Sequence, residues 1–226
     1  VGAASCGSGL TLVSFDCNTT VPGLYAAGDA SNEGLIIGAA LGPGGINISW
    51  ALATGWNAGK AAALSSQSKK APTARMEEVE AVRQATFEKL GQDGEMNMDE
   101  AVLAVQKEVL PARFNILRSA DSLSEGIAGL KQLKKEINEH IKVRDLHELM
   151  SFHELPGMLL TAEMTYAAAL SRKESRGSHY REDYPETDNE HGLVWTKMVA
   201  RQGELKLSTE PVSAEKFSRF NIELPH

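Results

Sequence analysis

Val21-Pro22-Gly23-Leu24-Tyr25-Ala26-Ala27-Gly28-Asp29-Ala30 is a short apolar run that ends in Gly-Asp. A buried parallel strand reads this way where it runs out into a loop. In open α/β sheets, ligands bind at that end of a strand. Gly28 lets the backbone come close to a phosphate or sugar, and a carboxylate at Asp29 can accept hydrogen bonds from hydroxyl groups. By itself the dipeptide is an ordinary turn. Here the glycine-rich loop Leu41-Gly42-Pro43-Gly44-Gly45-Ile46-Asn47-Ile48 and a long apolar segment follow it, and the whole reads as a binding edge. Ile46 to Leu64 is Ala-rich and uncharged until Lys60, which predicts a helix buried on most sides.

Upstream, Leu10 to Phe15 alternates and is β-rich, which predicts a short strand, and Asp16 to Thr20 supplies turn residues. Downstream, the composition changes near residue 65. Residues 1–64 hold most of the glycines and few charges, whereas Glu, Lys, Arg and Leu dominate afterwards. Residues 65–75 are polar, contain Pro72 and read as an exposed linker. Residues 76–172 read as a helical bundle of three or four members. Met76 to Leu90 is one helix, and Gly91 to Gly94 is a turn. Met98 to Leu117 follows, with a boundary near Pro111. Asp121 is expected to cap a helix through Ile141, with Leu123, Ile127, Leu130, Leu133, Lys134 and Ile137 near helical spacing. Asp145 begins a long helix through Ser171, with a kink expected at Pro156. Residues 173–226 read as an extended tail with a strand at Leu193 to Val199. The fold class is α+β: the C-terminal edge of a Rossmann-like domain over 1–64, then a mostly α bundle, then an irregular tail.

Bulk properties exclude several functions. The net charge of -7 cannot neutralise phosphates, so no nucleic-acid partner is expected. No apolar run reaches the roughly 18 residues of a transmembrane segment; Gly34 to Ala53 is broken by Gly42, Pro43, Gly44 and Gly45. Cys6 and Cys17 form no CxxC pair and bind no iron–sulfur cluster or zinc by themselves. So few cysteines suit a reducing, cytoplasmic setting. His147 and His153 lie six residues apart, about 600° of helix, so they face different sides and make no metal site. Met150, Met158 and Met164 suit core filling, while Glu77-Glu78 and Lys134-Lys135 suit solvated helix faces. The chain opens on Val1 and a Gly-rich stretch that reads like the middle of a loop, so a piece of a longer protein is expected.

A second motif fixes the reading. Arg172-Lys173-Glu174-Ser175-Arg176-Gly177-Ser178-His179-Tyr180-Arg181-Glu182-Asp183-Tyr184-Pro185-Glu186-Thr187-Asp188 resembles the R-x-E-S-R-G-x-H-x-R-x-D-F/Y-P-x-x-D signature. That signature belongs to the fumarate reductase, succinate dehydrogenase and L-aspartate oxidase flavoproteins. Some ten fixed positions match, and Asp145-Leu146-His147-Glu148-Leu149 and Ala162-Glu163 suit the bundle helix that precedes it. The stretch from Val21 to Ala30 is likewise similar to the second FAD-contacting motif of two-dinucleotide-fold flavoproteins. The resemblance implies FAD as cofactor. It places Ala27, Gly28 and Asp29 beside the ribityl chain, and Gly44, Gly45, Asn47 and Ile48 at the flavin ring's N1/C2=O edge. A helix N-terminus carries about half a positive charge, which suits the negative charge of reduced flavin at that edge. The resemblance also implies an oxidoreductase acting on a small organic substrate, with an iron–sulfur protein as candidate electron-transfer partner. The alternating charges of Arg172, Glu174, Arg176, Arg181, Asp183 and Asp188 suit a latch tying the tail to the flavin domain, with His179 structural rather than catalytic.

The match fails in one place. The fumarate and succinate enzymes carry a flavin-loop arginine that clamps a substrate carboxylate. Counting back from Gly55 and Ala58-Gly59 puts Gly42 there, and no Arg or Lys occurs between Val1 and Asn57. The loop is more like that of ketosteroid dehydrogenases, so the substrate is expected to be neither fumarate nor succinate. The G-x-G-x-x-G fingerprint for the ADP half of FAD is also absent. This chain alone is therefore expected to retain no FAD and to be inactive. Two alternatives remain at this point: a subunit whose bundle docks an iron–sulfur protein, and a non-enzymatic helical interaction module.

Overall fold

The computed structural model describes residues 9–32, 44–68, 73–201 and 204–212. It divides into two compact units, Val1–Arg75 and Met76–His226. The first unit packs a looped segment against one long helix. Val21-Pro22-Gly23-Leu24 is a tight turn closed by the Leu24 N–H on the Val21 carbonyl at 3.0 Å, with Gly23 at φ 88°. Pro pre-sets the second position of such a turn, and Gly supplies the positive φ at the third. The turn brings Tyr25 opposite Asn18 in a single antiparallel bridge. Leu10 pairs in parallel with Ser31 through the Leu10 N–H to the Ala30 carbonyl, 2.8 Å, and the Asn32 N–H to the Leu10 carbonyl, 2.9 Å.

The strands expected at Leu10 to Phe15 and at Gly23 to Asp29 are therefore isolated bridges here. A ladder needs a neighbouring strand along its length, and the described residues supply one only at Leu10 and Tyr25. Helix α1, Gly44–Gln67, starts earlier and ends later than the sequence suggests, so the first residues of the expected linker are helical. Its ridge of Ile48, Leu52 and Trp56, spaced four residues apart, is exposed, Trp56 at 74 %. The expectation of a helix buried on most sides is not met by the described residues, among which only Asn47, Thr54 and Ala58 of α1 are buried.

The second unit holds α2 (Met76–Phe87), α3 (Met98–Val109), the short α4 (Ala112–Asn115), α5 (Ala120–His140), α6 (Leu146–Ser171) and a hairpin of β1 (Val194–Arg201) with β2 (Glu204–Pro211). Its core lies between α3, α5 and α6. It gathers Ala101 and Val105 of α3, Leu123, Leu130, Leu133 and Ile137 of α5, and Leu149, Phe152, Leu155, Leu159 and Tyr166 of α6 into one buried cluster. Gly126 lets α5 and α6 approach, because a Cβ there would lie 2.6 Å from Tyr166 Cε2.

Side chains cap α3, α5 and α6. Asn97 and Glu100 form a capping box on α3. Ser119 and Ser122 do the same on α5, so Ser119, not Asp121, is its N-cap; the Ser119 hydroxyl reaches the orphan N–H three residues on. Asp145 caps α6 by accepting from the His147 and Glu148 N–H groups, both 2.9 Å. Pro111 stands at the N-terminal boundary of α4 without a side-chain bond and separates it from α3. Met150 and Met158 are exposed rather than core, since that side of α6 is not covered among the described residues. No residue of α2 is buried. The sheet is a β1–β2 antiparallel hairpin, twice the strand content expected for the tail. The mixed helical fold with a small sheet is α+β. Among the described residues no helix is long and apolar enough to cross a membrane.

Candidate functional site

Gly28 sits at φ 57°, where a side chain would be strained, and opens a three-residue 3-10 turn, Gly28–Ala30. Ala27 enters it extended, at φ -146° and ψ 159°. The turn is clamped to α1 by buried polar contacts. The Gly28 N–H donates to Thr54 Oγ1 at 2.9 Å, and Thr54 Oγ1 donates to the Trp50 carbonyl at 2.6 Å. Ser31 Oγ donates to the Gly28 carbonyl at 2.7 Å, and Trp50 Nε1 donates to Ser31 Oγ at 2.9 Å. Trp50 and Thr54 are one helical turn apart, so they present both groups on one face. The clamp leaves the Asp29 side chain exposed.

The sequence flagged Gly28 and Asp29 but not the clamp. Nothing in the spacing of Ser31, Trp50 and Thr54 announces it, because it joins residues 19 to 26 apart. Thr54→Val is expected to destabilise the first unit by about 1–2 kcal/mol, because the buried Gly28 N–H then has no acceptor. Urea unfolding followed by Trp fluorescence reads this; no shift in midpoint would mean that water replaces the hydroxyl.

At the other end of the site, Gly44 and Gly45 open α1, followed by Asn47, which is buried, and Ile48, which is exposed. No acidic residue occupies the first turn to neutralise its positive end. Gly42 and Pro43 lie outside the described residues. Gly28 packs on α1 beside Ala51, one turn after Asn47; a Cβ on Gly28 would sit 3.3 Å from the Ala51 Cβ. The structure thus holds the Gly28–Asp29 turn near the N-terminal third of the helix. Among the described residues no three His, Cys, Asp or Glu side chains group as metal ligands.

The charged signature is a latch whose described partners lie in the second unit. Arg181 is 1 % exposed and donates to the carbonyls of Ala169 (2.9 Å), Leu170 (3.2 Å) and Arg172 (3.2 Å) at the C-terminal end of α6. It also forks onto both oxygens of Asp183, each 2.7 Å. Asp183 in turn accepts the Ala120 N–H at the start of α5, 2.9 Å. One ion pair therefore joins the negative end of α6 to the positive end of α5. Glu174, 2 % exposed, lies between Arg172 and Arg176 and accepts the Asp188 N–H at 2.9 Å. Burial pushes its carboxyl up, but Arg176, the Asp188 N–H and Arg172 together hold it below the usual range. His179 is half-buried, bonded to Arg118, and burial and that arginine keep it neutral-leaning. His153 Nε2 meets the Thr86 carbonyl at 2.8 Å and ties the end of α2 to α6.

The sequence matches the family model described as fumarate reductase flavoprotein C-term over residues 106–224. A fumarate reductase flavoprotein subunit of Mycobacterium tuberculosis is 31% identical over 214 residues, covering 88% of this chain and 36% of that protein. An FAD-dependent oxidoreductase of Methanocaldococcus jannaschii is 31% identical over 127 residues, covering 56% of this chain and 22% of that protein. A solved E. coli quinol fumarate reductase chain superposes with a TM-score of 0.75 over 90% of this chain and 36% of that one. At 24% identity that likeness shows the fold. The chain spans about a third or less of the length of these relatives.

Proposed function

The chain belongs to the fumarate reductase flavoprotein C-terminal family, and from that premise we propose that it is the C-terminal part of an FAD-dependent oxidoreductase. The observation that carries the reading is the clamped Gly28–Asp29 turn on α1, with an exposed carboxylate and a helix start free of acidic residues. The residues suit FAD. Gly28 gives close backbone approach, and Asp29 accepts hydrogen bonds from ribityl hydroxyls. The N–H groups at Gly44, Gly45, Asn47 and Ile48 direct positive charge at the edge of the ring that becomes negative on reduction. Bound FAD would supply the electron transfer itself; the chain orients the cofactor and biases its potential.

The longer protein adds what this chain lacks. The exposed ridge Ile48, Leu52 and Trp56 supports a covering partner layer, and the relatives' greater length supports additional domains. The ADP-binding half belongs there, so this chain alone retains no FAD and is inactive. The substrate is a small organic molecule other than fumarate or succinate. In the full-length protein Asp29→Ala is expected to weaken FAD binding by about 1–3 kcal/mol, the cost of a lost charge-assisted hydrogen bond. Flavin fluorescence during titration of the apoprotein measures it, and unchanged affinity removes Asp29 from the site.

A second reading, an iron–sulfur electron-transfer partner docking on the bundle, is supported by α2. Met76, Val79, Val82 and Phe87 of that helix are exposed, an apolar surface the bundle core does not use.

A further inference from the structure

Each arginine of Met76–His226 with a described side chain meets a carboxylate, except Arg118. Arg83 pairs with Glu80, Arg113 with Glu125, Arg144 with Glu148, Arg172 and Arg176 with Glu174, and Arg181 with Asp183. Arg118 meets no carboxylate among the described residues, although it is half-buried. Its Nη1 instead bonds His179 Nδ1 at 3.0 Å. A guanidinium only donates, so Nδ1 is the acceptor, and the proton of the neutral ring sits on Nε2. That Nε2–H and the Arg118 Nε–H are both buried without a hydrogen-bond partner.

The surroundings add positive potential. Arg118 immediately precedes Ser119, the N-cap of the 21-residue helix α5. Arg172 and Arg181 also act on the ring by charge, and both oppose its protonation; the Arg172 carbonyl pulls the other way. The neighbouring Tyr166 hydroxyl is committed to the Glu108 carbonyl at 2.7 Å, so it offers Arg118 no anion. Burial holds that phenol protonated, its pKa raised to about 12. Two N–H groups here, those of Arg118 Nε and His179 Nε2, have no hydrogen bond, the Arg172 carbonyl is the acceptor beside the ring, and no carboxylate among the described residues faces the guanidinium. Taking a guanidinium partly out of water without an anion is unfavourable, so the arrangement is completed by an anion from outside.

We propose that Arg118 and His179 form a binding site for the carboxylate of a small organic acid. A planar carboxylate matches the guanidinium fork, which a spherical ion does not, and sulfate in the experiment below tests a tetrahedral oxyanion against it. Arg118 bonds through Nη1 only among the described residues, and Nη2 is not buried, so that edge of the guanidinium is open to an incoming acid. His179 holds the other side of the fork in place. The site stands whether or not the flavin reading of residues 27–48 holds, because none of its groups lies in that unit.

The experiment is an NMR titration of the 226-residue chain, labelled at histidine nitrogen, with malonate, acetate and sulfate at constant ionic strength. Malonate is expected to shift the His179 ring signals saturably, with half-saturation at about 1 mM or lower, and to raise the melting temperature. Arg118→Gln should abolish both effects, while its melting temperature without malonate equals or exceeds that of the unsubstituted chain. A purely structural arginine predicts the reverse: a less stable Arg118→Gln chain and no malonate effect in either protein. That result overturns the site, as does an equal shift in both. Stronger binding of sulfate than of malonate overturns the carboxylate assignment. If Arg118→Gln does not fold, Arg118→Lys keeps the charge but loses the fork, and malonate should bind it tenfold or more weakly; equal binding overturns the proposal. Loss of the malonate response in the full-length protein would show that a carboxylate of the protein itself fills the site, which also overturns it.

Discussion

Asp183→Ala is expected to cost the helical unit about 3 kcal/mol of stability, the lower end of the range for breaking a buried ion pair. Arg181 is 1 % exposed and would be left buried with no counter-charge, held by the carbonyls of Ala169, Leu170 and Arg172 and by the Tyr184 ring. The lower end applies because the Asp183 side chain is 31% exposed and water partly replaces it. The Ala120 N–H would lose its acceptor as well. Acid should act on the same pair. The Arg181 fork holds the Asp183 carboxyl down at about 2, with the Ala120 N–H helping. An unfolded aspartate titrates near about 3.9. The folded value is the lower one, so this contribution is complete above about pH 4 and is lost as pH falls toward about 2. Glu174, also held low by its arginines, should lose stability in the same direction. Urea midpoints between neutral pH and pH 2, for the unsubstituted chain and for Asp183→Asn, test this. The variant should be weaker at neutral pH, and its stability should fall less steeply on acidification. A loss below about 0.5 kcal/mol at neutral pH, typical of an ordinary surface change, would show that the pair does not hold the two helix ends together.

The full-length protein is expected to reduce fumarate orders of magnitude more slowly than a dedicated fumarate reductase. A closed site for a dicarboxylate needs positive charge at both ends, and an unpaired buried carboxylate costs several kcal/mol. Each 1.4 kcal/mol is about tenfold in rate. No Arg or Lys occurs between Val1 and Asn57, so residues 1–57 supply no such charge. Relatives carry the name fumarate reductase, which makes the assay a sharp one. Fumarate and a reduced viologen dye are given to the full-length protein, and dye oxidation is followed. Turnover near about ten per second, an ordinary enzyme rate, would show that another arginine clamps the substrate and that the loop does not decide it.

The sequence by itself determined the family, the fold class and the position of most helices. The Arg172–Asp188 signature did the first, because so many charged and small residues rarely coincide at fixed spacing by chance. Apolar spacing did the rest: Leu123, Leu130, Leu133 and Ile137 recur at helical intervals and are the buried face of α5. Caps were readable where the capping side chain adjoins the helix, as at Asp145. They were misread where two candidates stood together, and Ser119 displaced Asp121 because only its hydroxyl reaches the N–H of Ser122. Exposure was the weakest inference. Trp56, Met150 and Met158 are apolar and helical yet exposed, since burial depends on what packs above them.

Tertiary structure alone decided which charges meet. The sequence showed that Arg172, Glu174, Arg176, Arg181 and Asp183 alternate in sign, which suits a latch but does not say what it joins. The fold brings Arg181 to the end of α6 and Asp183 to the start of α5, and so fixes the latch on the bundle. The same holds for Thr54 under Gly28 and for Arg118 beside His179, 61 residues away. Periodicity reports a residue's neighbours along its own element. Hydrogen bonds and ion pairs between elements depend on ångström-scale approach of distant backbone, which no local pattern encodes.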